Sequence, residues 1–379
     1  MQVRVDLDAI TDNVGMLRKH ARDAELMAVV KGDAYGHGLI PVARTARAAG
    51  ATWLGTAVLA EALHLRAAGD TGRLMAWLAA PGERWADAIV AGIDLAASAQ
   101  WTLDEIAAAA RQVGGTARVH LKIDTGMARA GSTFDQWPNL VDAALAAQAD
   151  GAVKIVGLWS HLANADIAGD PVTTAQLAMF ADAVKLAEAR GVDPEVRHIA
   201  NSAATLTVPE SRLDLVRVGI ATYGLTPVPT QSPGTAFGLR PAMTASSQLA
   251  LVKRVAAGQG VSYGHRYVTT HDTTLGVVPV GYADGVPRHG SGGTVGPGAP
   301  VLVAGTARPI AGRVCMDQFI VDLDDAEAQA GDPVVLFGDP ARGEPSAQDW
   351  ADAADTISYE IVTRFAPHVA RTYVGGADS

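Results

Sequence analysis

The sequence predicts an α/β barrel, TIM-like and of the (β/α)8 type, followed by a mainly-β C-terminal domain. Three observations carry that prediction. The chain has 379 residues, more than one ordinary domain, and 49 % of them are hydrophobic, enough for two buried cores. In the N-terminal part, short apolar runs alternate with longer alanine-rich amphipathic stretches, the pattern of parallel strands joined by crossover helices. Around residues 226–241 prolines, glycines and polar residues cluster, and the runs beyond are β-type, separated by turn residues.

Taken in order, the eight candidate barrel strands occupy 26–31, 52–56, 73–78, 93–97, 118–124, 155–161, 195–201 and 213–219. Between them, stretches such as 39–49, 59–68 and 173–189 have helical spacing. Several stop at Ala-Gly or Arg-Gly, as at Ala49-Gly50, Ala68-Gly69 and Arg190-Gly191, where a helix is expected to end. The last connection, 202–211, has room for one helical turn. An open doubly wound sheet is the alternative, but no Gly-x-Gly-x-x-Gly turn follows the first strand. In the β region, strands are expected at 244–255, 274–280, 300–303, 319–322 and 333–337, with helical residues at 347–354 and 357–365. The expected division is therefore 1–235 for the barrel and 236–379 for the β domain, with the first few residues available to the latter.

Composition excludes several function classes. The formal charge is −10, with acidic residues scattered along the chain, which is not the basic face that a nucleic acid requires. Cys315 is the only cysteine, so neither an intramolecular disulfide nor a cysteine zinc cluster is available, and it reads as a small buried hydrophobe. The histidines are dispersed and no metal is expected. The opening residues lack the apolar core of a signal peptide, and no apolar run reaches membrane-spanning length. A cytoplasmic protein without a membrane partner is expected.

Chemistry should sit at the C-terminal ends of the barrel strands, the face where this architecture builds its sites. Lys31 closes the apolar run Met27-Ala28-Val29-Val30. Desolvation there lowers an amine's pKa and makes it nucleophilic; a lysine reaching solvent at the rim is the alternative. Other strand ends are polar too: Lys122 and Asp124 lead into Thr125-Gly126-Met127-Ala128-Arg129, His161 follows Ser160, Asn201-Ser202 close the seventh strand, and Arg217 precedes Gly219 on the eighth. Together they form an anion-friendly pocket, and Ser202 with the amides near Gly219-Ile220 suits a phosphate. A phosphate pocket facing a strand-end lysine makes pyridoxal phosphate the economical cofactor, with an aldose-phosphate aldolase still compatible.

At these same residues the sequence resembles the alanine racemase family. The likeness begins at Ala28-Val29-Val30-Lys31-Gly32-Asp33-Ala34-Tyr35-Gly36-His37-Gly38 and runs through Leu121 to Arg129, His161, Asn201-Ser202 and Arg217 to Gly224. It continues in Val261-Ser262-Tyr263-Gly264, Gly281 to Gly285, Cys315-Met316-Asp317 and Ile357 to Glu360. The resemblance implies a pyridoxal-phosphate-dependent homodimer of fold type III whose site combines one chain's barrel with its partner's β domain. Lys31 would hold the cofactor, and Tyr35, Ser202, Tyr359, Gly219 and Ile220 its phosphate. Arg217 would face the ring nitrogen, His161 and Asn201 would line the cofactor, and Arg129 would lie near the cofactor's phenolic oxygen and the substrate carboxylate. From the second chain, Tyr263 would be the opposite base, while Met316 and Tyr282 would shape the substrate pocket beside Asp317. In some members the lysine matching Lys122 is carbamylated and pairs with the arginine; an ammonium paired with Asp124 is the alternative.

The implied activity is interconversion of L- and D-alanine by proton transfer on two faces, supplying D-alanine for peptidoglycan. Lysine and tyrosine suit that work if their high reference pKa values fall, and a His161–Arg217 hydrogen-bond chain would assist. Alternatives are a broader-specificity racemase, an amino-acid decarboxylase and a non-catalytic pyridoxal-phosphate-binding protein. Two small departures from the family pattern, Gly32 after the lysine and Ala128 before Arg129, remove no functional group.

Overall fold

The computed structural model describes residues 1–294 and 296–376. The chain makes two compact units, one of Ile10–Ala34 and Leu39–Leu239, the other of Met1–Ala9, Tyr35–Gly38 and Arg240–Ser379.

After β1 (Gln2–Asp6), which belongs to the second unit, eight strands build the first: β2 (Glu25–Val29), β3 (Trp53–Thr56), β4 (Arg73–Ala76), β5 (Asp94–Ala97), β6 (Ala117–Lys122), β7 (Val153–Trp159), β8 (Val196–His198) and β9 (Leu215–Val218). Their order is β8-β7-β6-β5-β4-β3-β2-β9, with parallel pairing. Between β8 and β9, Arg217 N–H donates to Ala200 O at 3.0 Å and Asp214 N–H to Arg197 O at 3.2 Å, which draws the sheet into a nearly closed barrel. The predicted (β/α)8 class is the observed one. Helices such as Leu39–Ala48, Gln100–Val113 and Pro171–Ala189 follow the strands. The helix Gln100–Val113 buries Ile106, Ala107 and Ala110, one stripe at i, i+1 and i+4. It stops at Gly114, whose φ of 65° is the left-handed cap that glycine adopts without a Cβ penalty.

Most barrel strands end two or three residues earlier than expected. Lys31, Asp124, His161 and Asn201 lie just past the ladders, because the chain turns there to form the loops that carry them. The 202–211 connection holds more than the one expected turn: a helix at Ser202–Thr207 is followed by a 3-10 turn at Pro209–Ser211.

The second unit is mainly β, as expected. Its strands are β1, β10 (Met243–Gln248), β11 (Leu251–Val255), β12 (Gly260–Val261), β13 (Tyr267–Val268), β14 (Thr273–Val278), β15 (Pro300–Val303), β16 (Thr306–Pro309), β17 (Phe319–Asp324), β18 (Pro333–Phe337) and β19 (Ala370–Val374). One sheet runs β16-β15-β18-β10-β1-β19, a second β11-β14-β17, and β12-β13 form a short ribbon. The N-terminal strand is central, antiparallel to β10 and parallel to β19. The run expected as one strand at 244–255 is two strands broken at Leu249-Ala250, and β12, β13, β16 and β19 were not foreseen. Val3, Val5, Ala245, Val334 and Leu336 are buried in the core of this unit, as is Trp350, whose indole N–H reaches Leu336 O at 2.6 Å.

Candidate functional site

The first unit gathers most of the predicted polar residues. Directly after β2, Gly32, Asp33, Ala34 and Tyr35 all have left-handed backbones, with φ between 53° and 64°. Three of these residues carry a Cβ, and each such conformation costs on the order of 1 kcal/mol or more. Glycine at position 32 relieves the strain at one of the four, so its presence is more than a loosening of the chain. Asp33 helps to hold the turn, its carboxylate accepting from Leu39 N–H at 2.8 Å. Lys31 is half-buried. Burial lowers its pKa, the Arg129 and Arg217 cations lower it further, and Glu61 opposes them.

Lys122, at the end of β6, is buried, and its ammonium lies 4.1 Å from the centre of the Trp159 ring. Its pKa is pushed down to about 7, by burial first and then by the Arg217 and Arg129 cations. Asp124 directs Oδ1 at the amides of Gly126 and Met127, both at 2.9 Å. Burial works against its ionisation, but those backbone donors outweigh it and hold its pKa down. The loop is pinned again by Asp124 N–H to Ser132 O and Ser132 N–H to Lys122 O, both 2.9 Å. Arg129 projects from this loop, exposed, after Ala128 at φ 53°, a left-handed position at which alanine is strained.

Arg217, buried on β9, donates through Nη2 to Ser160 O (2.8 Å), Ile199 O (3.2 Å) and His161 Nδ1 (3.2 Å), and through Nη1 to His198 Nδ1 (2.9 Å). The expected His161–Arg217 contact is present. Burial brings Arg217 down to about 9, so it stays cationic at neutral pH. His161 is driven well below its usual value by burial and by Arg217 and its neighbouring cations, which leaves a neutral imidazole. Asn201 caps the Ser202–Thr207 helix, accepting from Ala204 N–H at 3.0 Å. Ser202 Oγ accepts from Gly219 N–H at 2.8 Å, so that amide is engaged within the protein, while Ile220 opens the next turn.

Sequence reasoning missed His198, His120 and Asp94 behind Arg217, and Gln176, whose side chain reaches the His161 carbonyl at 3.0 Å. One signal was available: in Arg118-Val119-His120-Leu121-Lys122 a polar residue recurs at every second position, and in a barrel strand that places three polar groups on the interior face.

The remaining predicted residues lie in the second unit. Tyr35 is buried, 6.2 Å from the Tyr359 ring, and burial with that neighbour raises its pKa. Tyr263 stands at the tip of the β12–β13 ribbon, flanked by Ser262 at φ 58°, Gly264 at 70° and His265 at 43°. Ser262 Oγ donates to Arg313 O at 2.7 Å. The Gly281 loop lies on the Cys315–Met316 turn, through Tyr282 N–H to Cys315 O (3.1 Å) and Ala283 N–H to Met316 O (3.0 Å). A Cβ on Gly281 would strike the Met316 carbonyl, so glycine is required for that approach. Tyr263 (67 %), Met316 (53 %) and Tyr282 (41 %) are all exposed. Cys315 is half-buried rather than buried, with Sγ 3.4 Å from Ser262 Oγ.

Among the described residues no helix is long and apolar enough to cross a membrane, and no cluster of His, Cys, Asp or Glu could hold a metal ion.

Two family models match, the alanine racemase N-terminal domain over residues 5–227 and the alanine racemase C-terminal domain over 242–373. An alanine racemase of Frankia casuarinae is 56 % identical over 370 residues, 98 % of this chain and 95 % of that one. One of Beutenbergia cavernae is 56 % identical over 376 residues, 99 % and 98 % of the two chains. The crystal structure of alanine racemase from D-cycloserine producing Streptomyces lavendulae is 56 % identical and superposes with a TM-score of 0.97, covering 100 % of this chain and 97 % of that one.

Proposed function

This chain belongs to the alanine racemase family, and from that premise we propose that it interconverts L- and D-alanine with pyridoxal 5′-phosphate as cofactor. The observation that carries the reading is the half-buried Lys31 at a barrel strand end, its pKa lowered by burial and by Arg129 and Arg217. The donor set fits the cofactor: a nucleophilic amine, a guanidinium that is cationic at neutral pH, and the Ser202 hydroxyl, aligned by Gly219 N–H, beside the Ile220 turn for a phosphate. When bound, that group withdraws electrons from the α-carbon and makes its proton removable.

Lys31 then moves the α-proton on one face, since a lowered pKa lets it serve as base and, once protonated, as acid. Arg129 binds the substrate carboxylate as a fork of donors. Arg217 donates without releasing its proton, so the ring nitrogen stays an acceptor. Ser202, Gly219, Ile220, Tyr35 and Tyr359 hold the phosphate, with Asn201 and His161 lining the cofactor. Lys122, an amine of pKa about 7, is substantially neutral and open to carbon dioxide at neutral pH; carbamylated, it would pair with Arg129.

Tyr263 serves the opposite face. It is exposed at a ribbon tip, so a second copy of the chain supplies it, together with Met316 and Tyr282, in a homodimer. The barrel domain, 1–235, supplies most of the cofactor contacts, and the β domain, 236–379, adds Tyr359 and, from the second copy, the opposite face. The enzyme works in the cytoplasm and provides D-alanine for peptidoglycan.

Incubation with L-alanine in deuterated water tests the reaction: α-deuteration with racemisation is expected, and carbon dioxide release or inertness of cofactor-loaded protein overturns it. Mixing inactive Lys31→Ala and Tyr263→Phe proteins tests the shared site. Random exchange restores about one quarter of wild-type activity if each site draws on both chains, and none if each chain is self-sufficient.

A further inference from the structure

Behind Arg217 runs a polar line through the barrel interior that the family resemblance does not account for. His198 Nδ1 is 2.9 Å from Arg217 Nη1, His198 Nε2 is 2.9 Å from His120 Nδ1, and His120 Nε2 is 3.2 Å from Asp94 Oδ2. Asp94 is bound in turn by Arg118 Nε at 2.8 Å and Arg73 Nη2 at 3.1 Å, and both arginines reach Glu195. Both imidazoles are fully buried.

The two ends dictate the proton positions independently. A guanidinium only donates, so His198 Nδ1 is bare and its proton lies on Nε2. At the other end, burial disfavours the Asp94 charge, but hydrogen bonds from His120 and Arg118 outweigh it and keep the carboxylate ionised. An ionised carboxylate only accepts, so His120 carries its proton on Nε2. In the middle, the His198 Nε2–H then meets a bare His120 Nδ1, donor to acceptor. A doubly protonated ring at either position would set two N–H groups against each other.

The strands are shaped for this line. At the β6–β7 pairing the register slips between Val119 and His120, so that His120 faces Gly157. A Cβ at Gly157 would collide with His120 Nδ1. Trp159 stacks on His198, with centroids 5.5 Å apart and planes at 6°, and Trp53 meets His120 edge-on at 5.6 Å. The ring planes are held, and so are the hydrogen-bond directions.

We infer that His120 and Asp94 are positioning residues: through a fixed Nε2–H tautomer of His198 they hold the Arg217 guanidinium in one orientation. The role assigned to Arg217 toward the ring nitrogen rests on the proposed function; the tautomer chain does not.

Nitrogen NMR of the 15N-histidine-labelled holoenzyme, with and without His120→Asn and His120→Leu, tests this. In the wild type, both His198 and His120 are expected to be neutral, with Nε2 protonated and Nδ1 bare. His120→Asn keeps an acceptor facing His198 and is expected to preserve the His198 signal, with kcat within about threefold of wild type. His120→Leu removes the acceptor; the His198 signal and the cofactor absorbance should shift, and kcat should fall about tenfold or more with KM little changed. An Nδ1-protonated or doubly protonated ring in the wild type overturns the inference, as does a folded Leu variant with unchanged His198 signal and kcat. If the Leu variant fails to fold, the wild-type tautomers decide alone. Wild-type protein that shows these tautomers but does not racemise alanine would refute the proposed function and leave the tautomer chain standing.

Discussion

The barrel interior and the β12–β13 tip hold their functional groups by opposite means. Inside the barrel, Arg217, His198 and Lys122 are buried, and hydrogen bonds or aromatic faces fix each of them. At the tip and in the Gly281 loop and Cys315–Met316 turn beside it, Tyr263, Tyr282 and Met316 are exposed, and what is fixed is the backbone beneath them, through left-handed residues and carbonyl-to-amide clasps. Burial changes what a group is. It brings Lys122 to about 7, Arg217 to about 9 and His161 far below its usual value, because removing water penalises charge. Exposed groups owe their placement to the backbone that carries them. Substitutions in the first region should therefore disturb stability and electrostatics together, whereas those in the second should disturb catalysis alone.

The largest expected effect is on Lys31. If Lys31 has the role proposed above, its replacement by alanine should lower racemisation about 10³-fold or more, measured by circular dichroism of alanine. Tyr263→Phe should suppress exchange of the L-alanine α-proton by about 10²-fold or more, and affect D-alanine far less. Being exposed, it should leave unfolding within about 0.5 kcal/mol of wild type. Equal loss from both enantiomers, or a large stability change, would break the contrast between the two regions.

Smaller effects separate packing from backbone strain. Gly157→Ala should destabilise the barrel by about 1–3 kcal/mol, the range for overpacking a filled interior, read from denaturant titration. Gly32→Ala meets no neighbouring atom within 4 Å but keeps φ at 64°, so about 1 kcal/mol is expected from conformation alone. The smallest effect is a pH trend. The Lys122 pKa is near 7 in the fold, lowered from 10.5, so between those values the unfolded chain binds more protons and stability rises with pH. Lys122→Met removes that pH dependence. Its melting temperature relative to wild type should be higher at pH 6 than at pH 9, measured without carbon dioxide, and a constant difference would place Lys122 in water.

Much of the barrel was legible because its signals are local. Apolar runs, Ala-Gly stops and the texture change near residue 235 follow from backbone and burial preferences acting within a few residues, and Lys31 stood out because an amine at the end of an apolar run is costly to pack. β19 was invisible, since Ala370–Val374 is largely exposed and pairs with β1 at the other end of the chain. The unusual character of Gly32 and Ala128 was equally hidden, because φ is a property of the folded backbone.

By itself, then, the sequence determined the fold class, the family and the residue types at the strand ends, all of them matters of order along the chain. Only the tertiary structure decided that Arg217, His198, His120 and Asp94 stand in one line. They come from β9, β8, β6 and β5, and closing a barrel is what brings strands distant in sequence to hydrogen-bonding distance across a common interior.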